Sequence, residues 1–172
     1  PIFTDNRTPL GKFENLKKGN DFGYQYTLSS WIFLHEQPPN HSYKYSKFTS
    51  LLNYGNKPNI TYNMKKNLLR ITMLSGKTKK IGYETNNFKM QKLNNVVINY
   101  DKGTLDIFIN GRLVSTTAGI VPYMKISDVI VGEKDGLSGG VCNVVYYSGN
   151  LSRERIEVFY NFLKDRNPPV VM

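Results

Sequence analysis

The sequence predicts a single all-β domain, a sandwich or barrel, with one short helix near its C-terminus. Apolar and polar residues alternate with period two in successive short runs. Gly, Asn and Pro punctuate those runs at the spacing of turns. The period lengthens only at Ile156, Phe159, Tyr160 and Leu163, which follow i, i+3, i+4, i+7. With 172 residues, 40% of them hydrophobic and 21% charged, the chain has the size and composition of one globular domain that needs no covalent staple.

Residues 1–23 are polar and rich in Gly and Pro, and read as an N-terminal arm with one short strand. The domain proper spans 24–167, and 168–172 is a tail beginning at Pro168-Pro169. Residues 24–34 form an aromatic-rich strand with Tyr24, Tyr26, Leu28, Ser30 and Ile32 on one face and the core residue Trp31 on the other. Pro38-Pro39-Asn40 opens a loop to about Ser46. Phe48–Tyr54 is the next strand, closed by Gly55-Asn56-Lys57-Pro58. Ile60–Met64 and Leu68–Leu74 pair around Lys65-Lys66-Asn67, and Lys79–Glu84 follows. In 93–117 Val96, Ile98 and Tyr100 alternate, Asp101-Lys102-Gly103 turns, and Leu105, Ile107 and Ile109 alternate back. Asn110-Gly111 then marks a type I′ hairpin, since both central positions need positive φ. Val129–Gly132 and Val141–Tyr147 are further strands around the Gly-rich stretch 136–140. Ser152 is placed to cap the helix, with Glu154 in its first turn.

Three of these segments, in this order, resemble the concanavalin A-like lectin/glucanase superfamily in its laminin G-like branch. They are Tyr26-Thr-Leu-Ser-Ser-Trp31-Ile-Phe-Leu34, the hairpin Leu93 to Val114 with its Asn110-Gly111 turn, and Val131-Gly132 with Gly139 to Tyr147 and Leu151-Ser152. The similarity covers about residues 24–163, and it implies a jelly-roll sandwich of two antiparallel sheets, one of them concave. Leu93 stands where that family usually has Trp, and Cys142-Asn143 where it often has an acidic pair. The Asn- and Lys-rich style is also similar to laminin G-like proteins of large DNA viruses, which implies a virion or an extracellular surface as the setting.

The net charge of +10 is unevenly placed. Residues 57–92 carry nine basic residues against Glu84 alone, a net of +8, whereas 93–172 is neutral. Such a field attracts anions, namely acidic glycans, lipid heads, nucleic acid or an acidic protein surface. The 17 Lys, 6 Arg and 19 Asn also fit a coding bias that fills solvated faces, which weakens the inference to a ligand. Nucleic acid is disfavoured, because the basic residues lack interleaved aromatics and no nucleic-acid module is present. No apolar run approaches the roughly 20 residues of a membrane span. No signal peptide is visible, and the chain opens on Pro1 rather than Met, which reads as a piece of a longer or processed chain.

The candidate ligand-binding residues are Lys65, Lys66, Arg70, Lys77, Lys79 and Lys80 for charge, with Tyr54, Tyr62 and Tyr123 for stacking on sugar faces. Calcium, the resembled family's common cofactor, has weak candidate ligands in Asp101, Asp128 and Asp135. A glucan hydrolase would need a strand of alternating acids, and the nearest approach, Glu133-Lys134-Asp135, lacks the third acid and reads as loop. His35 and His41 flank a Pro-Pro loop with no nucleophile elbow, and Cys142 reads as an inert core residue. The expectation is a non-catalytic recognition domain for a glycan or protein partner. The alternative is a structural, minor-capsid-type component that docks an acidic partner through 57–92.

Overall fold

A computed structural model describes residues 1–11, 24–38, 43–123, 127–166 and 169. His41, Asn40, Lys125, most of the predicted arm and most of the tail lie outside those residues. The described residues form twelve strands, one 3-10 turn (Tyr43–Ser46) and one α-helix. The strands are β1 (Ile2–Phe3), β2 (Thr8–Gly11), β3 (Gln25–Leu34), β4 (Thr49–Tyr54), β5 (Asn59–Asn63) and β6 (Leu68–Ser75). They continue as β7 (Thr78–Thr85), β8 (Asn94–Asp101), β9 (Thr104–Ile109), β10 (Arg112–Thr117), β11 (Val129–Val131) and β12 (Gly139–Tyr147), and the helix is α1 (Arg153–Leu163). They build two antiparallel six-stranded sheets, ordered β1-β12-β3-β8-β9-β10 and β2-β11-β4-β5-β6-β7. This is the sandwich with one late helix that the alternation predicts. No helix among the described residues is long and apolar enough to cross a membrane.

The core lies between the sheets. Leu28, Ile32, Leu52, Ile60, Ile71, Ile98 and Ile107 meet there, each from the inward positions of its strand. A second cluster of Val97, Phe108, Leu151 and Ile156 lies on the outer face of the first sheet, beneath α1. β8 is therefore buried on both faces over Asn94–Tyr100, and its sequence is apolar at consecutive positions for that reason. Trp31 is buried as expected, but its ring stacks on Tyr160 of α1 at 5.8 Å and 13° rather than filling the space between sheets.

A buried polar lock joins the helix to the sheet. Thr27 Oγ1 donates to Asn99 Oδ1 at 2.6 Å, Asn99 Nδ2 donates to Leu151 O at 3.0 Å, and Leu151 N–H donates to both side chains. Ser152 then caps α1 by accepting from Arg155 N–H, so the helix start is fixed one residue after the lock.

The first eleven residues differ from the expected arm. β1 pairs with β12 and β2 with β11, so each occupies the edge of a different sheet. Their sequence is too short and too polar to show period two, and their strand character comes from the partners they extend. At the opposite edge β7 and β10 lie against each other, and Ser115 Oγ donates to Gly82 O at 2.8 Å across them.

Candidate functional site

The strand register decides which basic residues can act together. β5 and β6 join through Asn63–Asn67, which holds Lys65 and Lys66 at one end of the sandwich. β6 and β7 join through Gly76-Lys77 at the other end, beside Lys79 and Lys80. The eight residues of β6 separate the two groups by about 26 Å at ~3.3 Å per residue, well beyond the ~8 Å Debye length at physiological salt. Segment 57–92 is thus not one strip. Arg70 sits between the groups, paired with Glu84 and lying 3.7 Å over the Phe48 ring. Lys57 is only 3% exposed, with Nζ donating to Ser127 Oγ at 3.3 Å and lying 5.1 Å from the Tyr54 ring.

Two of the three nominated tyrosines have no free face. Tyr54 is 2% exposed and packs against Tyr26 and Tyr146, and Tyr62 is 0% exposed and packs against Phe88. Burial pushes the Tyr62 hydroxyl up to about 12, and Tyr54 well above its ordinary range. Stacking on a sugar needs an open ring, so these two residues are core and not platform. Tyr123 is 77% exposed and keeps its face.

The acids also separate. Asp101 accepts from Gln25 Nε2 at 2.7 Å and from Asn150 Nδ2 at 3.2 Å. Asp128 leads into β11 near the end of β4, and Asp135 follows β11 towards the opposite end. Among the described residues no three His, Cys, Asp or Glu side chains are grouped to hold a metal ion, and these three aspartates do not fit a calcium site. Glu133 pairs with Lys44 and accepts from Ser50 N–H at 2.9 Å, and it lies outside any strand. Cys142 is half-buried on the outer face of its sheet beside Phe3, Phe33 and His35, not in the core, and burial raises its thiol above the ordinary range.

A different place carries the convergent chemistry. At the edge where β7 and β10 meet, the end of α1 closes a groove of about 570 Å³. That volume falls within the ~300–1,000 Å³ of small-molecule sites. Phe88, Ile109, Val114 and Tyr160 form its apolar surfaces, with Tyr83 beside them. Lys89, Arg112 and Lys164 are exposed around it, against the single carboxylate of Glu157. Asn87 and Asn161 add exposed amides.

Local sequence explains each wall. Asn110 and Gly111 have φ of 52° and 75°, the left-handed pair that the type I′ hairpin requires. Asn110 Oδ1 accepts from Asn95 N–H at 2.9 Å, and its Nδ2 donates to Asn94 Oδ1 at 3.3 Å. Asn94 Nδ2 donates onward to Lys89 O at 2.7 Å and Lys92 O at 2.9 Å, which orders the loop carrying Lys89. A Cβ on Gly111 would lie 2.8 Å from Tyr160 Cδ1, so the missing side chain leaves room for that ring. Tyr160 is thereby held between Gly111 and Trp31 before any ligand arrives. Glu157, Asn161 and Lys164 are the polar i, i+4, i+7 stripe of α1.

Lys89 belongs to the basic segment 57–92 without being among its candidate ligand-binding residues, Tyr160 is expected only on the apolar face of the helix, and Arg112, Asn161 and Lys164 carry no expected role. The available signals were the Asn-Gly turn and the polar stripe. Neither shows that the helix packs beside the hairpin.

Fold and groove together define a lectin-like β-sandwich domain with a polar, cationic, aromatic-walled cleft. The chain belongs to the concanavalin A-like lectin/glucanases superfamily: its Laminin_G_3 family model matches residues 11–157. Among solved structures, the chain is similar to the receptor-binding domain of the botulinum neurotoxin C/D mosaic serotype. The identity is 16%, the TM-score 0.64, and the match covers 81% of this chain and 36% of that one. It is also similar to a mutant of Trypanosoma rangeli sialidase displaying trans-sialidase activity, with 19% identity and a TM-score of 0.62 over 81% of this chain and 23% of that one. The chain therefore spans well under half of those proteins, and at such identity the likeness is one of fold. A search of the curated proteins found no match.

Proposed function

We propose that this domain is a non-catalytic recognition module that binds an anionic glycan, one bearing sulfate or carboxylate groups, in the groove between β7, β10 and α1. One observation carries the reading: three exposed cations and two exposed amides surround a preformed cleft whose tyrosine wall is locked by Trp31 and Gly111. Amides and cations suit hydroxyl and acidic substituents, and Tyr83, half-buried at the groove, supplies an aromatic surface for the apolar face of a sugar. A site preorganised in this way avoids the entropy of ordering itself on binding. The family includes lectins and the fold is shared with receptor-binding domains, which supports a binding role. Such a role fits a domain exposed on a virion or cell surface.

The test is a glycan array at low and moderate salt, followed by titration of the strongest ligand into wild type and an Arg112→Ala/Lys164→Ala variant. Salt-sensitive binding to acidic glycans that weakens at least about tenfold in the variant is expected, since charge-assisted contacts are worth ~1.5–3 kcal/mol each. Absence of any acidic glycan among the ligands, or binding unchanged in the variant, overturns the proposal.

A further inference from the structure

We infer that the sandwich end opposite Lys65 and Lys66 is a docking surface for an anionic lipid bilayer. Three large side chains protrude there: Tyr24 is 62% exposed, Val121 64% and Tyr123 77%. They come from two segments, Tyr24 before β3 and Val121–Tyr123 after β10, which meet at one shallow cavity and are tied by hydrogen bonds to neighbouring turns. Gly76 N–H donates to Val121 O at 3.1 Å, Val121 N–H donates to Ser75 Oγ at 3.0 Å, and Lys102 N–H donates to Tyr24 O at 2.9 Å. The same ties bring in the lysines. Lys77 and Lys79 flank the β6–β7 turn, Lys80 Nζ reaches Gly119 O at 2.9 Å, and Lys102 lines the shallow cavity between Tyr24 and Val121. All four lysines are exposed.

Protruding apolar tips beside lysines fit a bilayer better than a folded partner. A protein interface of standard size needs ~800 Å² of complementary surface on each side, whereas this end presents three apolar tips around a shallow cavity. A bilayer demands no shape match: it takes Tyr and Val into the interfacial layer while lysines remain at the headgroups. Stable attachment needs two signals, and this end supplies both, apolar insertion and basic charge. Asp101 and Asp128 also lie at this end, but the Asp101 carboxylate already accepts from Gln25 and Asn150. The surface is separate from the rim groove, so either can stand without the other.

The test is flotation of the whole protein with vesicles of phosphatidylcholine alone and of phosphatidylcholine with phosphatidylserine, at low and physiological ionic strength. Binding to the phosphatidylserine vesicles alone is expected. A Lys77→Glu/Lys79→Glu variant should lose about tenfold or more of that partitioning. A Val121→Ser/Tyr123→Ser variant should lose binding at both ionic strengths, while Arg112→Ala/Lys164→Ala should bind as wild type. All substituted positions in the first two variants are exposed, and an unchanged thermal midpoint shows that they fold. No association with phosphatidylserine vesicles overturns the inference. So does full binding by the Val121→Ser/Tyr123→Ser variant, or equal competition by soluble polyglutamate, since either reduces the surface to a general polyanion attractor.

Discussion

Replacing Gly111 by Ala probes the feature on which the groove depends. Two effects add. The backbone at φ 75° is left-handed, which costs an L-residue about 1–2 kcal/mol. The new Cβ would also lie 2.8 Å from Tyr160 Cδ1 and 3.1 Å from Cγ, so the ring must leave its place on Trp31. Losing that aromatic stack adds about 0.5–1.5 kcal/mol. The expected destabilisation is about 2–3 kcal/mol, or roughly 5–10 °C in Tm for a domain of this size. Gly76 provides the control, because its φ of 57° is also left-handed but nothing lies within 4 Å of its Cβ position. Gly76→Ala should therefore show the backbone cost alone. Urea unfolding of both single variants, and of Gly111→Ala in a Tyr160→Ala background, separates the two effects. In that background the Gly111 substitution should cost no more than Gly76→Ala does. The reasoning fails if Gly111→Ala and Gly76→Ala are equally stable, or if removing Tyr160 leaves the difference intact.

Other consequences follow from the same structure. Asn99→Leu breaks the polar lock with Thr27 and Leu151, and should cost about 1–3 kcal/mol and speed amide exchange throughout α1. Ser152→Ala removes the helix cap and should cost about 1 kcal/mol, measured by the same denaturant titration. The Tyr62 hydroxyl is raised from 10.0 to about 12, so the folded state holds its proton more tightly than the unfolded chain. That contribution, of order 2 kcal/mol, is complete below pH 10 and drains away as pH rises towards about 12. Absorbance titration should show several tyrosines that ionise above the ordinary range, with one fewer of them near pH 12 in Tyr62→Phe.

The strands were legible because burial on one face writes period two into the sequence. The Asn110-Gly111 turn was legible because few pairs accept two left-handed residues. The inward position of Tyr62 was also available, since Ile60, Tyr62 and Met64 share a strand face that proves to be core. Nominating Tyr62 for stacking on sugar faces sets that periodicity aside. The charge run misled for a geometric reason: neighbours in sequence become opposite ends of a hairpin once β6 extends between them. The groove was not legible because its walls come from 83–89, 109–114 and 157–164, and no local pattern states that these meet.

Anionic-glycan binding in the groove is tested by titrating isotope-labelled protein with a sulfated or sialylated oligosaccharide, followed by amide NMR. Saturable shifts confined to Lys89, Arg112, Asn161, Lys164 and their neighbours are expected, abolished by Arg112→Ala/Lys164→Ala. Shifts centred on Lys65 and Lys66 or on Lys77–Lys80, with the groove silent, would contradict it.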